Sequence, residues 1–193
     1  MTDVITLHPR TARSRARILD AAEAVFREAG FEAATVEEIA VRAGLTRKTV
    51  YNCFASKDAV ADAIIAQAGA LAEPLYGPAI RSGEAALALL EKILCDSARW
   101  CLANPDLARR ALAPRIRPTT TPPEGQSFQG VVTDAMRLGQ SQGIIRKDED
   151  AAFLSLVLLG LYAQVMLSGL ERREVGSDEI NRIVRIVVEG IGT

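Results

Sequence analysis

The residues best suited to hydrogen bonding with another molecule form one short polar segment. Its members are Arg47, Lys48, Thr49, Tyr51 and Asn52. Guanidinium, ammonium, hydroxyl and amide groups recognise the edges of nucleic-acid bases and the oxygens of phosphates. Val50 and Phe54 occur among them at a spacing of four, which predicts a helix with one apolar side. The polar side chains would then point away from that side.

Two short helices joined by a glycine turn are predicted to hold this segment. Thr35 and Glu38 have the spacing of a capping box, in which each side chain satisfies a backbone N–H at a helix start. Gly44 suits the left-handed residue that ends a helix, and Thr46 is a predicted N-cap for the next one. Residues 35–54 therefore have the pattern of a helix-turn-helix that reads DNA. An ordinary helical hairpin with a solvated basic face fits the same pattern.

The sequence on both sides of this motif is also helical in pattern. Arg17 to Phe31 predicts a preceding helix that ends at Gly30, and Ser56 with Asp58 predicts the start of a following one. In this register the segment resembles the TetR family of bacterial regulators, from about residue 11 to residue 65. The matching residues are Ile18, Leu19, Ala21, Ala22, Phe26, Gly30, Phe31, Thr35, Val36, Ile39, Ala40, Ala43, Gly44, Leu45, Val50, Tyr51, Phe54, Ser56 and Lys57.

The resemblance implies how this segment contacts DNA. In TetR relatives the second helix of the motif enters the major groove, so Arg47, Lys48 and Thr49 are expected near base edges, with Arg47 pairing to guanine. The alternative for these side chains is an ordinary solvated face. The other predicted DNA-binding residues, expected at phosphates or, for Asn52, at a base or the backbone, are Thr35, Thr46, Tyr51, Asn52 and Lys57.

Charge and the chemistry-bearing residue types restrict the other functions. The 193 residues have a net charge of −1, but Arg10, Arg13, Arg15 and Arg17 precede the predicted first helix as a basic arm. Such an arm attracts phosphates locally, within roughly 10 Å at moderate salt. The start of the arm, residues 1–10, is predicted to be disordered. The only histidine, His8, lies in it, which argues against a catalytic or metal-binding histidine.

The three cysteines, Cys53, Cys95 and Cys101, are odd in number and lack metal-ligand spacing, so neither a disulfide nor a metal site is expected. No cofactor is implied. Cys53 departs from the TetR pattern, which often has a histidine or an aromatic residue before this phenylalanine. A thiol provides neither a stacking face nor a good phosphate donor. An oxidation switch at Cys53 is a further hypothesis, against the more common role of a small buried hydrophobe.

The remaining sequence predicts an all-α protein of about nine helices, with no strand pattern. A three-helix DNA-binding domain is expected at residues 11–57, a connecting helix at 58–75 and an effector-binding and dimerisation domain at 76–193. Pro74, Gly77 and Pro78 suggest the boundary, because they interrupt a helix. The segment from Pro114 to Gly125, rich in proline and threonine, is expected to form a mobile loop.

The last two predicted helices, at about 148–172 and 177–190, are candidates for a homodimer interface. The first is apolar almost all round and close to membrane-spanning length, but an interior or interface position fits its polar residues better than lipid. The alternative is that both helices belong only to the core. The sequence lacks a signal-peptide pattern, and a cytoplasmic protein without membrane contact is expected.

A small-molecule effector inside the C-terminal helices is implied by the resemblance. Bulky or adaptable side chains with a few polar groups are the candidates to line its site, although each is equally well explained as core or interface. They are Trp100, Cys101, Phe128, Met136, Tyr162, Gln164 and Met166.

The function expected from these observations is that of a dimeric DNA-binding regulator, more often a repressor in this family, that an effector releases from a palindromic operator. An architectural or division-control protein with the same DNA-binding segment and no effector is the alternative. An enzyme is disfavoured, because no glycine-rich phosphate loop, metal cluster or paired carboxylates occur in the sequence.

Overall fold

The computed structural model describes residues 9–113, 127–172 and 174–190, and within them every regular element is an α-helix. The all-α fold expected from the sequence is confirmed. The helices are α1 Pro9–Ala29, α2 Val36–Arg42, α3 Arg47–Cys53, α4 Lys57–Ala70, α5 Ala72–Ser82, α6 Ala86–Ala103, α7 Pro105–Leu112, α8 Phe128–Ser141, α9 Ala151–Arg172 and α10 Ser177–Gly190.

The basic arm differs from the sequence expectation, because its arginines do not precede the first helix. The first helix begins at Pro9, and Arg10, Arg13, Arg15 and Arg17 all lie within α1. A proline at the first helical position is compatible with this start, since the N–H that it lacks has no partner in a helix. Residues 1–8, which contain most of the predicted disordered start, lie outside the described residues, as does the predicted loop at 114–125.

The connecting segment also differs from its expected form. A single helix at 58–75 was expected to end at the prolines, whereas α4 ends at Ala70 and a separate helix, α5, contains both Pro74 and Pro78. Pro74 lies in the first turn of α5, where a missing N–H costs no hydrogen bond. Gly83, in a left-handed conformation with φ of 77°, ends α5. This extra helix brings the number in the described residues to ten.

The chain divides into two compact units, residues 1–65 and 66–193, and the boundary falls inside α4. In the first unit, α1 contacts both α2 and α3, and α2 contacts α3. The core of this unit is formed by buried apolar side chains from all four helices. They are Ile18, Ala22, Val25, Phe26, Ile39, Ala40, Val50, Phe54, Val60, Ala61 and Ile64. This core determines which side of α3 is left exposed.

The second unit is a bundle in which α8 packs against α5, α6 and α9, and α10 packs against α6 and α9. Its largest fully buried side chains include Leu90, Ile93, Leu94, Met136, Leu158, Tyr162 and Met166. A few polar groups lie inside, and they bind one another. The Tyr162 hydroxyl donates to Ser97 Oγ at 2.9 Å, and the hydroxyls of Thr133 and Ser155 are 2.8 Å apart. No buried side-chain nitrogen or oxygen of the described residues lacks a hydrogen-bond partner.

The start of α6 is capped by a side chain from a distant helix end. Ala85, at the N-cap of α6, makes no side-chain cap hydrogen bond. Instead Gln142, at the end of α8, accepts from Ala86 N at 3.0 Å and donates to the carbonyls of Gly83 and Glu84 at 3.1 and 2.8 Å. One side-chain amide therefore provides hydrogen bonds for a backbone N–H and two backbone carbonyls in the turn between α5 and α6.

Candidate nucleic-acid interface

The first helix of the motif, α2, begins with the capping box that the sequence predicts. Thr35 Oγ1 accepts from Glu38 N at 3.2 Å, and Glu38 Oε2 accepts from Thr35 N at 2.8 Å. Hydrogen bonds from Thr35 lower the pKa of Glu38, so the carboxylate stays charged at the positive end of the helix dipole. The Thr35 hydroxyl also donates to Glu38, and it is thereby engaged within the protein.

The turn and the second helix, α3, also form as the sequence predicts. Gly44 adopts a φ of +61°, in the left-handed region that favours glycine. Thr46 is the N-cap of α3, and its Oγ1 accepts from Thr49 N at 3.2 Å. The hydroxyls of Thr46 and Thr49 lie 2.9 Å apart. Ser56 caps α4 in the same way, accepting from Ala59 N at 3.1 Å.

The side of α3 opposite the core is polar and accessible. Val50 is buried, while Arg47, Lys48, Tyr51 and Asn52 are exposed and Thr49 is half-buried. The Arg47 guanidinium lies 5.5 Å from the centroid of the Tyr51 ring, and a hydrogen bond that it donates to the Tyr51 side chain raises the pKa of Arg47. Of the predicted base-reading residues, Arg47 and Lys48 are therefore exposed, whereas Thr49 is half-buried beside Thr46.

Three cations in the described part of this unit bind backbone carbonyl oxygens, in contacts that the sequence analysis did not anticipate. Arg15 Nη1 donates to Cys53 O at 3.1 Å, and Arg17 Nη2 donates to Ala43 O at 2.5 Å. Lys57 Nζ donates to Phe31 O at 2.6 Å, Glu32 O at 3.1 Å and Ala34 O at 2.9 Å. Their partners are 23 to 38 residues away in the sequence, so no local pattern could reveal them.

The predicted effector-lining residues separate into three groups in the second unit. Cys101, Met136, Tyr162 and Met166 are buried in its core. Trp100 and Phe128 are partly buried against that core. Gln164 differs from all of these, because it is exposed. It is two residues from both Tyr162 and Met166, and on a helix that spacing turns a side chain to the opposite side.

The cysteines differ in their surroundings. Cys101 is buried, and burial raises the pKa of its thiol. Burial also raises the pKa of Cys95, whose thiol contacts Asn181 Oδ1 at 3.4 Å. Cys53, the irregular residue of the motif, is half-buried at the end of α3, and its carbonyl oxygen is the acceptor for Arg15. In the described residues no group of three histidine, cysteine or carboxylate side chains has the arrangement of a metal site.

An N-terminal helix-turn-helix unit with a cationic second helix, followed by a separate helical bundle, defines a class of DNA-binding regulator. The family model described as "Bacterial regulatory proteins, tetR family" matches residues 18–64. The chain therefore contains a tetR-family DNA-binding domain, which confirms the resemblance noted from the sequence. No curated protein matches the sequence.

Solved structures share the fold over nearly the whole chain. FadR of Thermus thermophilus, described as a TetR-family transcriptional repressor and solved with lauroyl-CoA, is 22% identical, with a TM-score of 0.72 over 93% of this chain and 95% of FadR. FadR of Bacillus subtilis, solved with stearoyl-CoA, is 17% identical, with a TM-score of 0.70 over 91% of this chain and 98% of that protein. A gamma-butyrolactone receptor described as ArpA-like is 21% identical, with a TM-score of 0.51 over 94% of this chain and all of the receptor.

Proposed function

We propose that this protein is a homodimeric transcriptional repressor, acting in the cytoplasm, that a small-molecule effector releases from a palindromic DNA operator. The observation that supports it most directly is the exposed face of α3. That face presents Arg47, Lys48 and Asn52 on a helix whose other side is anchored by the buried Val50. A capped and anchored helix holds its donors in fixed positions, which base recognition requires.

The contacts with DNA follow from the position of each side chain. Arg47 pairs with the O6 and N7 of guanine, and Lys48 and Thr49 contact neighbouring base edges. Asn52 reaches a base or a phosphate, and Tyr51 donates to a phosphate. Thr46 and Thr35 contribute phosphate contacts at the starts of α3 and α2. These contacts use the backbone N–H groups of the helix starts and the hydroxyls that already serve as caps.

The dimer forms through α9 and α10. By length and composition α9 is the one described helix that could cross a membrane, and a third of its most apolar window is buried inside the chain. Its outward residues include Phe153, Leu156 and Leu161, which are 55%, 49% and 45% exposed, and Ile186 of α10 is also exposed. An apolar surface of this kind marks an interaction site, and a second copy of the same two helices covers it. The resulting two-fold symmetry matches a palindromic site.

The effector binds within the second unit, and its class is that of amphipathic molecules with an apolar chain. Cys101, Met136, Tyr162 and Met166 are buried in a mainly apolar core, whose few polar groups include the hydroxyls of Tyr162 and Ser97 and those of Thr133 and Ser155. Methionine side chains adapt to the shape of an apolar ligand, and the hydroxyls provide polar groups that orient it. The lauroyl-CoA and stearoyl-CoA bound by the two FadR proteins belong to the same class.

Release follows from geometry. The effector prefers a conformation of the dimer in which the two copies of α3 no longer match successive major grooves, so binding energy is lost without any contact being blocked. Thermodynamic linkage then requires that the operator weakens effector binding by the same factor. An effector without this reciprocity would contradict the mechanism.

The test uses the full-length protein and two measurements. Duplexes selected from a random library identify the operator, and lauroyl-CoA, stearoyl-CoA and a gamma-butyrolactone are then titrated against the complex. Palindromic selected sites, together with release by one of these compounds, support the proposal. If neither these compounds nor a metabolite extract changes operator binding, the result would favour an architectural or division-control protein instead. A failure to enrich any duplex would contradict DNA recognition itself.

A further inference from the structure

Two arginines of α1 bind the C-terminal ends of the two helices of the motif. Arg17 donates to the carbonyl of Ala43, the C-cap of α2, at 2.5 Å, and to that of Gly44 in the turn at 3.4 Å. Arg15 donates to the carbonyl of Cys53, the last residue of α3, at 3.1 Å. The last carbonyls of a helix lack intrahelical partners and form the negative end of its dipole. A guanidinium at each end therefore satisfies a carbonyl and complements the dipole.

Packing holds both guanidinium groups in place. The Arg15 guanidinium carbon lies 4.0 Å from the centroid of the Phe54 ring, directly after the end of α3. Arg17 Nη2 lies 2.8 Å from where a Cβ at Gly44 would stand, so the group fills the space beside the turn. Arg15 is half-buried, whereas Arg17 is exposed, as are Arg10 and Arg13 of the same helix. These contacts fix α2 and α3 against α1 at their C-terminal ends.

Lys57 does the same for the segment before α2. Its ammonium donates to three carbonyls of the turn that follows α1 and lies 4.5 Å from the centroid of the Phe31 ring. A lysine ammonium has three N–H donors, and the three carbonyls use all of them. A phosphate contact by Lys57 would therefore require at least one of these bonds to break.

We propose that Arg15, Arg17 and Lys57 are positioning residues, which set the angle of α3 for DNA recognition and are not phosphate contacts. This reverses the expectation for Lys57 and for half of the basic arm. The phosphate-contacting charge of α1 is then assigned to Arg10 and Arg13. Arg17 is as exposed as these two, so the carbonyl contacts of Arg15 and Arg17 are what separate the two pairs. The part of this inference that concerns DNA rests on the proposed function, whereas the part that concerns the motif's rigidity does not.

The test compares Arg15→Ala, Arg17→Ala and Lys57→Ala with the matched control Arg13→Ala, each in the full-length protein. Hydrogen exchange of the amides of α2 and α3 measures how firmly the motif is held. The second measurement is the binding constant for a labelled 30-base-pair duplex of random sequence at several salt concentrations. The slope of its logarithm against the logarithm of the salt concentration changes by about 0.9 for each neutralised phosphate. A contact to a carbonyl and a contact to a phosphate therefore give different readouts.

Each positioning variant should raise the exchange rates of α2 and α3 by about tenfold and weaken binding equally at all salt concentrations, because the contact count is unchanged. The control should keep the wild-type exchange rates and flatten the slope by about 0.9. Wild-type exchange with a flattened slope in the Arg15, Arg17 or Lys57 variants would overturn the proposal.

Methionine variants decide the case if an alanine variant fails to fold. Arg15→Met, Arg17→Met and Lys57→Met keep an apolar stem that packs against neighbouring residues but have no N–H donor for a carbonyl. Faster exchange with an unchanged salt slope again supports positioning, and unchanged exchange refutes it. If the wild-type protein binds no duplex, the proposed function fails, while the exchange measurements still decide whether these residues hold the motif.

Discussion

Arg17 occupies the space that any side chain at Gly44 would need. Its Nη2 lies 2.8 Å from the position of a Cβ there, and the same nitrogen donates to Ala43 O. Gly44 therefore meets two requirements, since its φ of +61° already favours glycine. A side chain at residue 44 would therefore require the end of the Arg17 side chain to move away from the turn.

We expect Gly44→Ala to destabilise the first unit by more than backbone strain alone, which is about 1–2 kcal/mol for a left-handed residue. Thermal or chemical unfolding measures it. The matched control is Gly83→Ala, which has a φ of +77° but no atom within 4 Å of its Cβ and should show only the strain. In an Arg17→Ala background the excess cost of Gly44→Ala should disappear. Additive effects would show that Arg17 and the turn are independent.

Arg47→Ala should weaken binding to the selected operator by about 1–3 kcal/mol and relax specificity at one base pair, because a bidentate base contact is lost. Binding of duplex variants measured by fluorescence anisotropy tests this. Arg137→Ala, which removes an exposed arginine of α8 paired with Asp134, is the control and should leave binding unchanged. Equal loss on every duplex would instead assign Arg47 to a phosphate.

Leu156→Glu should convert the dimer to a monomer, because it places a charge in an apolar interface. Sedimentation equilibrium measures the change, and operator affinity should fall with it. Ile144→Glu provides a matched control, since Ile144 is 41% exposed but lies outside α9 and α10. A Leu156→Glu protein that remains dimeric would place the interface elsewhere.

The second unit should lose stability in acid through Asp96. Burial tends to raise the pKa of this carboxyl, but hydrogen bonds from Tyr76 and Lys92 outweigh burial and the pKa is lowered. Tyr76 donates at 2.5 Å and Lys92 at 3.0 Å, and Arg99 also pairs with Asp96. A lowered folded-state pKa stabilises the protein above the unfolded-state value of about 3.9, and the contribution is lost as pH falls through the folded-state pKa.

Asp96→Asn should therefore cost stability at pH 7 and progressively less as the pH falls below about 4. Denaturant unfolding of both proteins across this range gives the difference. A constant cost at all pH values would mean that shape and packing, not charge, account for the role of Asp96.

Local signals predicted the motif well because its determinants are close together in the sequence. Thr35 with Glu38, the glycine at residue 44 and the cap at Thr46 each act over four residues or fewer, and all appear in the structure as expected. The apolar side of each helix could be read from periodicity for the same reason.

The differences arise where a distant partner or a position within an element decides the outcome. A proline inside a helical pattern predicts a helix end, yet Pro74 lies in the first turn of α5, where it interrupts no hydrogen bond. Composition alone places Gln164 with its apolar neighbours, and only its register on α9 shows that it is exposed. The basic residues Arg15 and Arg17 predict phosphate contacts, whereas the structure shows carbonyl acceptors 26 or more residues away, which cannot be read from a sequence.

The cap that Gln142 provides for α6 has a consequence for synthesis on the ribosome. The first turn of α6 begins at Ala86, but the amide that completes it is made 56 residues later. A nascent chain that has not reached α8 therefore has α6 with an open N-terminal turn, and helix ends without caps fray. This turn can be capped only after the end of α8 has emerged, so α6 is synthesised well before the residue that completes its first turn.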